Sequence, residues 1–270
     1  MEPFVYSRAR SIADATQRLA KAGADARYLA GGQTLLPVMK QRLASPPEIV
    51  ALAGIEALVG IRVDGRVASI GAMTRHADVA VSDAVRRAIP ALAHLAGGIG
   101  DPHVRNRGTI GGSLANSDPS ADYPAAVLGL GATIHTDRRT LAADDFFRGL
   151  FTTALAPGEL ITRVDFPVPE LAGYRKFPNP ASRYAVVGVM VSRGAAGVRV
   201  AVTGAGACAF RVPEMEAALM RSFTAGALGS IAIAASDLNT DIHASADYRA
   251  HLVGVLARRA VTSALTGHTS

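Results

Sequence analysis

Gly108-Thr-Ile-Gly-Gly-Ser-Leu-Ala-Asn-Ser-Asp-Pro-Ser-Ala-Asp122 is the stretch on which the reading of this chain turns. It sets a glycine pair, Gly111 and Gly112, between two hydroxyls, Thr109 and Ser113, with a carboxylate further on at Asp122. Glycine has no Cβ to block close approach and readily takes positive φ. Successive N–H groups can therefore face one concavity, as a phosphate requires. An ionised carboxylate only accepts hydrogen bonds, which suits Asp122 to ribose hydroxyls. The competing reading is a glycine-rich turn followed by a capped helix, and the segment alone leaves both open.

Immediately upstream lies Asp101-Pro-His-Val-Arg-Asn-Arg107, where Arg105 or Arg107 is placed either to reach a phosphate or to sit in solvent. A second glycine pair, Gly31-Gly32, follows an expected short strand at 26–30. It leads through Gln33-Thr34 into the first turns of a helix at 35–40, with Pro37 tolerated near its start. Strand, glycines, hydroxyl and helix make a second candidate phosphate cradle, with the positive helix end facing the loop. A tight strand-to-helix turn is its alternative.

The remaining pattern reads in order. Residues 11–23 predict a helix with Ser11 as N-cap, Ile12, Ala15, Leu19 and Ala20 on one face, and Gly23 as stop. Residues 46–52 predict a buried strand. Residues 57–63 and 66–71 predict a hairpin with a type I′ turn at Asp64-Gly65. Thr74 is expected to cap a helix carrying His76, and Ser82 a second one; for His76 a surface or capping place is favoured over a cavity wall. Helices are expected at 90–95 and 124–130, and strands at 132–136 and 160–164. A boundary is expected at Pro167-Val168-Pro169, then strands at 174–177, 184–189 and 197–203, and a helical tail in three pieces, 213–221, 224–235 and 245–263. This gives three units, 1–55, 56–168 and 169–270.

Composition narrows the function. The chain has 270 residues, 49% hydrophobic and 19% charged, as a folded globular protein does. Its net charge of +6 comes from scattered arginines with only Lys21, Lys40 and Lys176 as lysines, so no basic run points to nucleic acid. One cysteine, Cys208, excludes an intrachain disulfide and any iron–sulfur cluster held by this chain's own thiolates. The histidines lack zinc-ligand spacing, so no metal is expected. Neither a signal peptide nor an apolar run of roughly 20 residues is present, which reads as cytoplasmic with no membrane span. Gly204-Ala-Gly206-Ala-Cys-Ala209 matches a dinucleotide fingerprint, but Pro213 interrupts the helix that would hold the pyrophosphate, and no βαβ repeat follows. Residues 111–115 lack the last glycine of a nucleophile elbow.

Three stretches carry a resemblance. Ala30-Gly-Gly-Gln-Thr-Leu-Leu-Pro37, Ile99-Gly-Asp-Pro-His-Val-Arg-Asn-Arg-Gly-Thr-Ile-Gly-Gly-Ser-Leu-Ala-Asn116 and Asp118-Pro-Ser-Ala-Asp122 resemble the FAD-binding medium subunit of molybdenum hydroxylases, the carbon monoxide dehydrogenase and xanthine dehydrogenase family. The likeness extends through the tail motif Asp241-Ile-His-Ala-Ser-Ala-Asp-Tyr-Arg-Ala-His-Leu252. It implies an α+β fold: a two-lobed FAD-binding domain of the vanillyl-alcohol oxidase/xanthine dehydrogenase type, then a C-terminal α+β domain with a three-stranded antiparallel sheet plus helices. It implies FAD as cofactor, held by Leu29, Ala30, Gly31, Gly32, Gln33, Thr34 and Leu35 on one side. Gly108, Thr109, Ile110, Gly111, Gly112 and Ser113 form the other side, with Asp122 at the ribose, Lys176 near the flavin ring and Tyr184 in a covering loop. Gln33 and Ser113 stand where relatives often have His and Asn. Implied partners are a large molybdopterin-binding subunit and a small [2Fe–2S] subunit, as a dimer of heterotrimers passing electrons to quinone, NAD or oxygen. A stand-alone FAD oxidase and a non-catalytic nucleotide-binding protein are the alternatives. On the cradle reading, Gly111→Val and Gly112→Val are expected to fold and lose FAD.

Overall fold

The computed structural model describes residues 1–267. A small parallel sheet opens the chain, with β1 (Val5–Arg8), β2 (Arg27–Leu29) and β3 (Glu48–Ala51) in the order β1-β3-β2. Helix α1 (Ile12–Ala22) begins where the Ser11 hydroxyl accepts from Asp14 N–H, and ends at Gly23, whose φ is 95°. It turns Ala15 and Leu19 onto the sheet with Ile12 packed beside them, whereas Ala20, expected on the same face, is exposed. The loop after β2 carries Gly31-Gly32 into α2 (Leu35–Lys40).

The second lobe is an antiparallel sheet of β4 (Ile61–Asp64), β5 (Val67–Gly71), β6 (Thr133–Thr136), β7 (Thr140–Ala142) and β10 (Ile161–Pro167), ordered β4-β5-β10-β6-β7. A separate hairpin, β8 (Phe147–Gly149) and β9 (Thr152–Thr153), lies between β7 and β10. Six helices connect β5 to β6: α3 (His76–Val81), α4 (Asp83–Ala88), α5 (Pro90–Gly97), α6 (Pro102–Arg105), α7 (Ile110–Asn116) and α8 (Tyr123–Leu130). Every residue of α8 is buried, which fits its uninterrupted apolar sequence.

The C-terminal unit is an antiparallel sheet of β11 (Leu171–Pro178), β12 (Ala185–Gly194), β13 (Gly197–Thr203) and β14 (Phe210–Arg211), with α9 (Pro213–Arg221) and the long α10 (Ala246–Thr266). Gly173 lets α10 seat against β11, since a Cβ there would stand 2.1 Å from the Ala260 carbonyl oxygen.

Four expectations are corrected. The C-terminal sheet has a fourth strand, the two-residue β14. Residues 224–235 form only a 3₁₀ turn at Ala225–Leu228, because glycines at 226 and 229 and isoleucines at 231 and 233 are poor helix formers. The β4–β5 register pairs Asp64 with Val67, so the turn residues are Gly65 and Arg66 rather than Asp64 and Gly65. Gly65 has φ 56° and Arg66 is not among the positive-φ residues, the pattern of a type II′ turn. Finally, Thr74 is no helix cap: its hydroxyl accepts from Gly60 N–H and donates to the Gly60 carbonyl, and Arg75 occupies the cap position of α3.

Candidate cofactor site

The two glycine segments meet backbone to backbone. A Cβ on Gly31 would stand 2.1 Å from the Arg107 carbonyl oxygen and 2.8 Å from Gly108 Cα. One on Gly112 would lie 3.5 Å from Ala30 Cβ. Gly31 is thus required for the lobes to close on each other. Gly32, at φ 75°, turns the chain into α2.

The amides on the two sides are used differently. For the N–H groups of Gly31, Gly32, Gln33 and Thr34 no intrachain acceptor occurs among the described residues. Four consecutive amides without an intrachain acceptor, beside a cavity, are donors available to an anion. On the other side, Ile110 N–H donates to the Thr74 carbonyl and Gly111 N–H to that of Ala72. Gly112 N–H goes to the Thr109 hydroxyl at 3.2 Å, an N-cap, and Ser113 N–H to the Thr109 carbonyl. The capped-helix reading of this segment therefore describes its local structure. Its hydroxyls, not its amides from 110 to 113, remain to meet a ligand.

Gly111 has a packing reason of its own. A Cβ there would stand 2.6 Å from Ala72 Cβ and 2.8 Å from the Ala72 carbonyl oxygen. Its missing side chain faces Ala72, just after β5, not a phosphate.

Between the segments lies a cavity of about 780 Å³. Residues 29–35, Gly108, Thr109, Gly111, Gly112, Ser113, Asp122 and Tyr184 line it. Ile110 and Lys176 do not: Ile110 is fully buried in the core, and Lys176 lies behind Asp122. Arg105 donates to the carbonyls of Ile99 and Gly100 at 3.0 and 2.9 Å and so braces a cavity loop rather than reaching into the space.

The Asp122 carboxylate, 3% exposed, is already engaged. Tyr174 donates its hydroxyl to Oδ1 at 2.6 Å, and the Lys176 ammonium lies 2.9 Å from Oδ1 and 3.1 Å from Oδ2. Burial pushes its pKa up, against the opposing pull of Lys176 and Tyr174. The same burial, followed by the Asp122 charge, drives the Tyr174 hydroxyl far above its ordinary value.

Some wall residues were not legible as such. His76 is buried and lines the cavity, with its Nδ1 unpartnered. Its ring packs behind the second segment, since a Cβ on Gly108 would come within 2.5 Å of its Nε2. Burial, and then the charge of Arg105, lowers its pKa to about 4, so the ring is neutral at pH 7. The isolated bridge between Arg75 and Thr109, and the donation of His76 N–H to the Gly108 carbonyl, complete that support. The far wall comes from Tyr28, Phe151, Glu159 and Leu160. Leu160 and Tyr28 fall within the strands expected at 160–164 and 26–30, but nothing in that pattern marks either as part of a wall.

A cleft of this volume, with four amides free of intrachain partners and flanking hydroxyls where two loops meet, suits a phosphate-containing cofactor. Residues 2–169 match the family described as the FAD binding domain in molybdopterin dehydrogenase. The chain is 37% identical to the carbon monoxide dehydrogenase medium chain of Afipia carboxidovorans, covering 97% of this chain and 96% of that one. It is 36% identical to the nicotine 6-hydroxylase medium subunit of Paenarthrobacter nicotinovorans, over 96% of each. Among solved structures, the reconstituted CO dehydrogenase from Oligotropha carboxidovorans superposes with a TM-score of 0.91 at 36% identity, over 98% of both chains. The chain belongs to the FAD-binding family of molybdopterin dehydrogenases. Its cofactor is FAD and its class is oxidoreductase. No helix among the described residues is long and apolar enough to cross a membrane.

Proposed function

We propose that this chain is the FAD-carrying medium subunit of a molybdenum hydroxylase complex. In this reading it accepts electrons from the [2Fe–2S] clusters of a small partner subunit and passes them to quinone, NAD or oxygen. A large molybdopterin-binding subunit oxidises the substrate, and the whole is a dimer of heterotrimers. The observation that carries the reading is the cleft itself: residues 31–34, whose amides have no intrachain acceptor, line one cavity with Thr109 and Ser113, in a chain similar over nearly its full length to medium subunits. A single cysteine fits a division of labour in which the clusters belong to a partner.

When bound, FAD supplies the redox chemistry, exchanging electrons singly or in pairs. The chain's residues bind and orient it. The amides of 31–34 are the donors for its pyrophosphate, joined by the Thr109 and Ser113 hydroxyls. Leu29, Ala30 and Leu35 give apolar walls, Asp122 places its carboxyl group, held by Lys176 and Tyr174, in the wall, and Tyr184 shields one end from water. The neutral His76 ring backs the Gly108 turn without adding charge. The division into 1–55, 56–168 and 169–270 is proposed on the separate sheets, although the hydrophobic cores cross it: Leu58 and Leu160 join the first lobe's core, and Tyr174, Met190 and Ala201 join the second's.

Reconstitution tests the reading. The purified full chain should take up one FAD with flavin absorbance, and it should co-purify with iron–sulfur and molybdopterin subunits when these are co-expressed. Dithionite should bleach the flavin, and added acceptor should restore it. A folded chain that takes up no FAD would overturn the proposal.

A further inference from the structure

Lys176 sits on β11 and its side chain is only 11% exposed. An ammonium has three N–H donors. Here all three are committed within the chain: to the Gly98 carbonyl at 2.8 Å, to the Asp122 carboxylate, and to the Arg183 carbonyl at 2.8 Å. These acceptors come from three places, namely the C-terminal end of α5, the start of α8, and the loop joining β11 to β12. We propose that Lys176 is a positioning residue, a latch that holds the Tyr184 loop over one end of the cavity, and that it does not donate to the cofactor.

The loop's own bonds explain why one cation matters. The Asn179 side chain accepts from Ala181 and Ser182 N–H, and Arg183 N–H donates to the Asn179 carbonyl. Tyr184 N–H donates to the Ser182 hydroxyl. The loop is therefore closed on itself, and Arg183 has positive φ, 61°. Among the described residues, its hydrogen bonds to the rest of the molecule are Ala185 N–H to the Ser120 carbonyl, Asn179 to His243, and Lys176 to the Arg183 carbonyl. Of these, the Lys176 contact is charge-assisted and reaches the residue next to Tyr184. It also ties the loop to Asp122, so the cavity wall and its cover share one ion pair. Ser182 and Tyr184 line the cavity, whereas Lys176 does not. The proposal rests on the FAD reading for what the loop covers, but the latch itself is a property of the flavin-free chain.

The test is hydrogen–deuterium exchange on the full chain without flavin. Wild type is compared with Lys176→Met and with Lys176→Met/Asp122→Asn, the second avoiding an unpaired buried carboxylate if the first does not fold. Amides of residues 181–184 should exchange roughly tenfold or more faster in the variants, the loss of one charge-assisted hydrogen bond. After loading with FAD, Tyr184→Ala should speed flavin release in wild type and add little in the Lys176→Met background. Unchanged exchange in flavin-free protein overturns the latch, as do additive effects of the two substitutions on release. A wild-type chain that takes up no FAD would refute the functional reading instead, and would leave the exchange comparison able to decide the latch.

Discussion

At the scale of single residues, the missing Cβ atoms carry different duties. Gly31 is bare because the Arg107 carbonyl occupies the place of its Cβ, at 2.1 Å. Gly31→Ala must push the first lobe off the second, an overpacking that costs about 1–3 kcal/mol and opens the junction where the amides of 31–34 gather. The variant should lose flavin absorbance after reconstitution and melt earlier than wild type; full FAD occupancy in Gly31→Ala would contradict this. Gly111 acts elsewhere. Its substitution by valine meets Ala72 at 2.6 Å, so it should destabilise the fold itself rather than yield a stable chain merely unable to bind FAD. His76 gives a pH dependence with a definite sign. Its pKa is lowered to about 4 from 6.5, so between these values the unfolded chain binds a proton that the folded chain refuses. Stability therefore falls as pH drops from 6.5 towards 4, by about 3 kcal/mol at the lower limit. Urea titrations across that range should show a slope that His76→Asn flattens.

At the scale of elements, the turn after β6 and the entry to β10 are closed by one carboxylate. Glu159 accepts from Arg139 Nε and Nη2, each at 2.9 Å, from the Thr136 hydroxyl at 2.7 Å and from Ala156 N–H at 2.7 Å. Arg139 first, then the backbone and hydroxyl donors, hold its pKa at about 2. A depressed carboxyl stabilises the fold above its ordinary value near 4.5, and that contribution disappears as pH falls through about 2. Glu159→Gln should cost on the order of 2 kcal/mol at neutral pH, less than the full shift because Arg139 is half exposed, and nothing at the acid end. Equal destabilisation at pH 7 and pH 2 would refute the assignment. Elements with strong local signals were legible in the sequence: Ser11 and Gly23 bracket α1, and the apolar run from 124 to 130 is the buried α8. Elements decided by tertiary packing were not. The two-residue β14 exists only by pairing with β13, and Thr74 was drawn from capping by Gly60, distant in sequence.

At the scale of the molecule, the two cofactor segments were legible because glycine, hydroxyl and helix start are local patterns. The far wall and the ion pair behind Asp122 were not, since Asp122 and Lys176 meet only when the C-terminal sheet is laid against α5 and α8. That packing also makes the end of the family match at residue 169 a poor place to cut the chain. The carbonyls of Leu128 and Gly129, at the end of α8, accept from Arg199 and Ser192 of the C-terminal sheet, each at 2.6 Å. Thr203 donates to the carbonyls of Pro119 and Ala121. Tyr174, Met190 and Ala201 belong to the same hydrophobic core as Tyr123, Val127 and Leu130. Cutting after residue 169 removes all of these at once and leaves Asp122 without Lys176 and Tyr174. Each large apolar side chain so exposed forfeits about 1.5–3 kcal/mol, and each buried carbonyl left unpaired about 1–3 kcal/mol. Such losses together exceed the roughly 5–15 kcal/mol by which a native chain is stable. The fragment 1–169 should therefore show no cooperative thermal transition by circular dichroism and should elute as aggregate, while the full chain melts cooperatively. A compact fragment that unfolds in one transition and takes up FAD would show instead that the first two lobes stand without the third.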